Sequence, residues 1–245
     1  MTRFVTTEIR LDLGEVTLRG TETGAGPTVL LLHAGGERRE VWVPVAAVLA
    51  RRGLRSVAFD LRGHGDSSGR ATTLRALADD VAEMVRRRPG PIVLVGASVG
   101  GLAAIAALAD PAVAKRAGGL VLVDVVPGLA PARVRSWLDF HGLASRYTRL
   151  VEDVLGSGSA LLATAGAVDL PILVVHGGQG SPLAETDVRR LRAANPRVTV
   201  AHVPAAGHLV ARDAPEQLAD LVSEWLCGIG HGAVSAPVPG RQDLR

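Results

Sequence analysis

Ile92-Val93-Leu94-Val95-Gly96-Ala97-Ser98-Val99-Gly100-Gly101 is the stretch that decides the fold. Its first four residues form a continuous apolar run, which predicts a strand covered on both faces. Val99–Ala109 is rich in Ala and Leu and predicts a buried helix. Between them lies Gly96-Ala97-Ser98-Val99-Gly100, a G-x-S-x-G pentapeptide. A serine at such a strand-to-helix turn occupies a strained backbone, with its hydroxyl lifted clear of the sheet edge. Small flanking residues let strand and helix approach closely. The N–H of the next residue, Val99, is left to face an oxyanion. Ser98 is therefore the candidate nucleophile, against the plainer reading of a Gly/Ser-rich helix entry without chemistry. Pro91–Ala109 carries no charge and nears the length of a membrane span, but its central glycines and its change of texture read as strand, turn and helix.

The same alternation extends outward. Strands are expected at Thr28–Leu32, Leu54–Phe59, Leu120–Val123, Ile172–Val175 and Val198–Val203. Helices are expected at Val41–Arg52, Leu74–Arg88, Leu183–Ala194 and Pro215–Leu226, the last with Asp213 and Glu216 at capping-box spacing. Residues 3–21 alternate apolar and polar in two runs joined at Gly14, which predicts a hairpin. Strands alternating with helices mean an α/β fold, a mostly parallel central sheet with helices on both faces. The 48 residues between Val123 and Ile172 hold only helical patches, Ala132–Phe140 and Arg146–Leu155, and read as a short helical cap insertion. The expected organisation is one domain over residues 1–227, with the cap at about 125–170, and a flexible tail over 228–245.

Composition narrows the function. The chain has 245 residues, 27 Lys+Arg against 24 Asp+Glu, and 3% aromatics. Lys115 is the single lysine, so the basic pI reflects arginine usage. With so few rings and no long basic run, no nucleic-acid partner is expected. One cysteine, Cys227, leaves no internal disulfide and reads as a packing residue. No apolar leader opens the chain, so a cytoplasmic location and no membrane association are expected.

Two further segments fall at strand ends. His33-Ala34-Gly35-Gly36 follows Thr28–Leu32, and the Gly35 N–H is the candidate second oxyanion donor beside that of Val99. His208, in Ala205-Ala206-Gly207-His208-Leu209, follows the last strand and is the candidate base. His33 and His176 end strands, and with Trp137 and Phe140 of the cap they are candidates to line the substrate pocket. Asp60–Ser67 reads as a tight structural loop held by Asp and Arg side chains. Its glycine spacing is not a dinucleotide fingerprint. No histidine–carboxylate cluster has metal-ligand spacing, so neither a metal nor another cofactor is expected.

Leu31-Leu32-His33-Ala34-Gly35-Gly36, Asp60–Ser68, Val95–Gly101, Leu120–Pro127, Ile172–Gly178 and Ala205–Val210 together make the chain resemble the α/β-hydrolase fold superfamily, most closely its esterase/lipase and cofactor-free peroxidase-like branch. The resemblance spans residues 15–227. It implies a Ser–acid–His triad and an acid shortly after the strand ending at Val175. Here that stretch is Gly178-Gln179-Gly180-Ser181-Pro182, without a carboxylate. Asp124, after the preceding strand, is the candidate acid, the position some members use. A Ser98–His208 dyad is the alternative, and Glu185 and Asp187 are weaker candidates. The implied function is a serine hydrolase of a small ester, lactone or thioester with an apolar acyl or alcohol group. The alternatives are a transferase, cyclase or perhydrolase, or a binding module without turnover. A short cap also leaves room for a homo-oligomer that covers apolar surface.

Overall fold

The computed structural model describes residues 4–143 and 145–232. In chain order it runs β1 (Thr6–Asp12), β2 (Thr17–Thr23), β3 (Thr28–Leu32), α1 (Val43–Arg51), β4 (Arg55–Phe59), α2 (Leu74–Arg86), β5 (Ile92–Ala97), α3 (Val99–Ala107), α4 (Pro111–Ala114) and β6 (Ala117–Val123). It continues with α5 (Pro131–Phe140), α6 (Thr148–Gly156), α7 (Gly158–Ala167), β7 (Ile172–Gly177), α8 (Glu185–Ala194), β8 (Val198–Val203), α9 (Val210–Asp213) and α10 (Pro215–Gly232).

The strands form one sheet in the order β1-β2-β4-β3-β5-β6-β7-β8. The hairpin β1–β2 is antiparallel and joins β4 antiparallel, while β4, β3, β5, β6, β7 and β8 are mutually parallel. All five residues of β3 are buried. Leu30 and Leu32 face the core shared with α2 and α3, and Val29 and Leu31 face the core shared with α1 and α10. A strand covered twice cannot alternate apolar with polar, which is why this run is continuous. The strand order reverses between β3 and β5, and in open α/β sheets ligands bind outside the carboxyl ends of the strands at such a point.

Asp60 is fully buried and holds the loop after β4. It accepts the Arg39 N–H at 2.7 Å and the Asp66 N–H at 2.9 Å, and it pairs with the Arg39 guanidinium. Arg62 turns away to pair with Asp80 of α2. The loop is held as expected, with Arg39 rather than Arg62 supplying the charge.

Several expectations need correction. The cap contains a third helix, α7. Asp213 does not begin α10: it ends α9, and its carboxylate accepts the Gly207 N–H at 3.0 Å. Residues 228–232, expected in the tail, continue α10, and residues 233–245 lie outside the described residues. Cys227 is exposed, not packed inside. Among the described residues no helix is long and apolar enough to cross a membrane.

Candidate active site

Ser98 links β5 to α3 with φ 49° and ψ −121°, a strained conformation for a residue with a side chain. Its glycine neighbours make the turn possible. A Cβ on Gly96 would lie 2.4 Å from Gly101 Cα, and one on Gly100 would lie 2.5 Å from the Leu32 carbonyl oxygen. Strand, helix and β3 therefore meet backbone to backbone around the serine. Val99 is the first residue of α3, so its N–H has no partner inside the helix. Gly35 lies beside it, because a Cβ there would stand 3.7 Å from Val99 Cγ1. The two backbone segments expected to hold an oxyanion are adjacent.

Among the described residues Asp124 is the other non-glycine residue with positive φ, at 50°. It follows β6, and its N–H donates to the Val175 carbonyl at 2.8 Å. Its carboxylate is fully buried and accepts three hydrogen bonds. Oδ1 accepts the Gly177 N–H at 2.7 Å, and Oδ2 accepts the Ser181 hydroxyl at 2.5 Å and His208 Nδ1–H at 2.8 Å. A buried carboxylate requires such donors. The proton on Nδ1 is assigned from this partner, and it leaves Nε2 as the lone pair able to accept a proton. The Trp137 ring packs edge-on to the imidazole with centroids 4.5 Å apart, and its indole N–H donates to the Gly180 carbonyl at 3.0 Å. His208 is thus fixed by the sheet edge on one side and by the cap on the other.

Ser98 and His208 line one cavity of about 110 Å³ with Gly35 and Val99. The cap supplies most of its remaining wall, including Val134, Trp137, Leu138, Leu150 and Leu155. No Arg or Lys is among the described residues that line it. Ser98 is half-buried and makes no side-chain hydrogen bond among the described residues. Glu37, on the loop after β3, was not singled out from the sequence. Burial pushes its carboxyl above the usual range, with Arg212 and then His208 among the charges that pull it back.

Three residues expected at the pocket do not line it. His33 is fully buried beneath the site. Its Nδ1–H donates to the Ala34 carbonyl at 2.8 Å and its Nε2 accepts the Leu61 N–H at 2.9 Å. Burial depresses its pKa to about 4, which keeps the ring neutral. Phe140 is 86% exposed. Val134, Trp137 and Leu138 follow i, i+3, i+4 spacing, and Phe140 falls about 200° round the helix from Leu138. That periodicity was the signal that separates it from the pocket. His176 is buried against α8 and faces Glu185 and His202. Neither Glu185 nor Asp187 contacts His208. Asp187 accepts Arg133 of α5 at 2.7 Å and the Ala184 N–H at 3.1 Å, which ties the cap to α8.

Residues 29–221 match the model of the alpha/beta hydrolase family. The chain is 36% identical over 142 residues to protein phosphatase methylesterase 1 of Bos taurus, covering 54% of this chain and 37% of the relative. It thus spans little more than a third of that relative's length. It is 27% identical over 254 residues to 2-(acetamidomethylene)succinate hydrolase of Mesorhizobium japonicum, covering 84% of this chain and 90% of the relative. Among solved structures, E-2-(acetamidomethylene)succinate hydrolase superposes with a TM-score of 0.75 at 22% identity, covering 92% of this chain and all of the other. The thioesterase domain from the curacin biosynthetic pathway superposes with a TM-score of 0.71 at 22% identity, covering 89% of this chain and 99% of the other. At such identity these likenesses speak for the fold alone. The strand order, the turn at Ser98 and the family match over most of the sequence agree: the chain belongs to the alpha/beta hydrolase family.

Proposed function

We propose that this protein is a serine hydrolase that cleaves a small ester, lactone or thioester through an acyl-enzyme on Ser98. One observation carries the reading. His208 Nδ1 lies 2.8 Å from a fully buried carboxylate oxygen of Asp124, while His208 shares an apolar cavity with Ser98. In this reading His208 Nε2 takes the Ser98 Oγ proton as the oxygen attacks the substrate carbonyl. The Gly35 and Val99 N–H groups hold the oxyanion, and loss of one such donor costs about 3–4 kcal/mol. Asp124 stabilises the imidazolium, which then protonates the leaving alcohol or thiol. Water, deprotonated by the same nitrogen, attacks the acyl-enzyme and releases the acid.

The related methylesterase and hydrolase support ester cleavage in general. The cavity wall narrows the substrate. A cavity of about 110 Å³ is smaller than the ~150 Å³ that holds benzene, so it suits a short apolar group. A dicarboxylate like the succinate named for one relative would meet no Arg or Lys among the described lining residues.

The test is labelling with a fluorophosphonate, followed by hydrolysis of p-nitrophenyl acetate. Wild type is expected to be labelled at Ser98 and to turn over, and Ser98→Ala to do neither. Folded protein that stays unlabelled would overturn the nucleophile. Labelling without ester hydrolysis would move the reading to acyl transfer or cyclisation.

A further inference from the structure

Outside the cavity, β7 and β8 bring together a second set of side chains. His176 and His202 are register partners on these parallel strands, with ring centroids 5.3 Å apart. Glu185, the first residue of α8, places Oε1 3.4 Å from His176 Nδ1 and 3.9 Å from His202 Nε2. One ligand atom from each residue lies within 4.8 Å of the other two.

His176 is the informative member. It is 8% exposed, and its Nε2 lies 3.3 Å from the Leu183 carbonyl. A carbonyl can only accept, so Nε2 carries the proton and the neutral ring presents Nδ1 as a lone pair. That Nδ1 is buried without a hydrogen-bond partner and faces the Glu185 carboxylate. His176 Nδ1 and Glu185 Oε1 are both acceptors with nothing donated between them, and His202 Nε2 stands 3.9 Å from the same carboxylate oxygen. A backbone carbonyl on the far nitrogen is the outer contact that orients a metal-binding histidine. A proton on Nδ1 would satisfy one imidazole and one carboxylate and leave His202, which strand register brings alongside, out of the site. A cation satisfies all three.

We infer that His176 Nδ1, Glu185 Oε1 and His202 Nε2 form a site for a divalent late first-row transition metal of the Zn²⁺ kind, with water completing a tetrahedron. Zinc–ligand lengths of about 2.0–2.1 Å set ligand atoms about 3.3 Å apart, so the separations here need only small side-chain rotations. The site would fasten the end of β7 to the start of α8. The loop between those ligands carries Gly177 N–H and the Ser181 hydroxyl, both donors to Asp124. Metal binding would therefore steady the segment that orients the candidate acid.

Metal-stripped protein titrated with Co²⁺ reports binding through its visible absorption, with Zn²⁺ as competitor. Hydrogen exchange of residues 177–184 is followed in parallel. One equivalent is expected to give tetrahedral bands and to slow exchange in that loop. His202→Ala and Glu185→Gln, both at side chains more than half exposed, are expected to weaken binding at least about tenfold and to abolish the change in exchange. His208→Ala is expected to keep full binding, which separates this site from the hydrolytic one. Absence of a Co²⁺ spectrum in wild type would overturn the proposal and leave an imidazolium–carboxylate pair. So would unchanged affinity in both ligand variants.

Discussion

Replacing Asp124 by Asn keeps the shape of the side chain and reverses the polarity of one of its two ends. The Asn oxygen is held toward Gly177, whose N–H donates at 2.7 Å to Asp124 Oδ1. The amide nitrogen then stands where Oδ2 accepted the Ser181 hydroxyl and His208 Nδ1–H. Ser181 adapts by rotating its hydroxyl to accept. The imidazole must move its proton to Nε2 so that Nδ1 can accept from the amide. In that tautomer Nε2 has no lone pair for the Ser98 proton, and no carboxylate remains to stabilise the imidazolium. The expected loss in kcat is about 10⁴-fold, or about 5.4 kcal/mol at 1.36 kcal/mol per decade. Stability changes little, because one of the three hydrogen bonds survives unchanged and the other two reverse direction. The assay is kcat on p-nitrophenyl acetate, with circular dichroism and thermal melting on the same preparations. Adding Ser98→Ala to Asp124→Asn should cost only roughly a further 10²-fold, far less than Ser98→Ala costs in wild type, since these groups act as a unit. A folded Asp124→Asn enzyme within tenfold of wild type would refute the reasoning and favour a dyad.

Gly100→Ala places a Cβ 2.5 Å from the Leu32 carbonyl oxygen and 2.7 Å from that of His33, against backbone that cannot swing aside. Urea unfolding should show a loss above about 3 kcal/mol, in the range of severe overpacking, and a loss below 1 kcal/mol would contradict the close approach. The cavity volume predicts that acetyl and butyryl esters are cleaved faster than dodecanoyl esters. Trp137→Ala should narrow the gap, and a flat chain-length profile in wild type would sink the idea of a short apolar pocket. His33 has a folded pKa of about 4, below its ordinary 6.5, so the unfolded chain takes up its proton first as pH falls. Its contribution is whole above pH 6.5 and is lost as pH falls toward 4, a change of about 3 kcal/mol at 1.36 kcal/mol per pH unit. Urea midpoints at pH 7 and pH 4 for wild type and His33→Gln measure it; equal slopes in the two proteins would argue against a buried neutral ring.

The central sheet was legible because double coverage leaves a plain mark. Thr28–Leu32, buried throughout, is a strand with the bounds that its apolar run suggested, and the edge strand Val198–Val203, only partly covered, also has the expected bounds. Ser98, His208 and Asp124 were legible for a related reason: each ends or follows a parallel strand, and parallel strands deliver their carboxyl ends to one edge. What that logic does not contain is the side from which a chain leaves a strand. His33 and His176 stand at the correct height yet face away from the cavity. Helix α7 escaped notice because Gly158 and Gly166 break its apolar pattern. Gly166 is there for contact, since a Cβ on it would lie 3.3 Å from the Ala194 carbonyl of α8. The His176–Glu185–His202 cluster has no signature spacing, because strand register, not local sequence, joins its members. Asp213 matched a capping box, but in the structure its carboxylate holds the His208 loop through Gly207.

The position of the candidate acid, Asp124 after β6, allows a paired test. The resemblance places the usual carboxylate on the loop after β7, where this chain has Ser181. Ser181 Oγ lies 2.5 Å from Asp124 Oδ2, so one carboxylate oxygen is all that separates it from His208 Nδ1. A carboxylate at position 181 would meet Asp124 at hydrogen-bond distance in a buried site. Two such groups cannot both ionise, and one would hold a proton at neutral pH. The two acid positions therefore exclude each other, and a hydroxyl at 181 is the compatible partner because it donates. Ser181→Asp alone is expected to lower turnover at pH 7 and to add an ionisation to the pH–rate profile. In the Asp124→Asn background the same change no longer meets a second charge, and it supplies a carboxylate beside the imidazole. The double variant should exceed Asp124→Asn in kcat by at least about tenfold, 1.36 kcal/mol of recovered transition-state stabilisation. If it is no more active than Asp124→Asn, the loop after β7 cannot present an acid to His208, and Ser181 is only a hydrogen-bond donor that holds Asp124 in place.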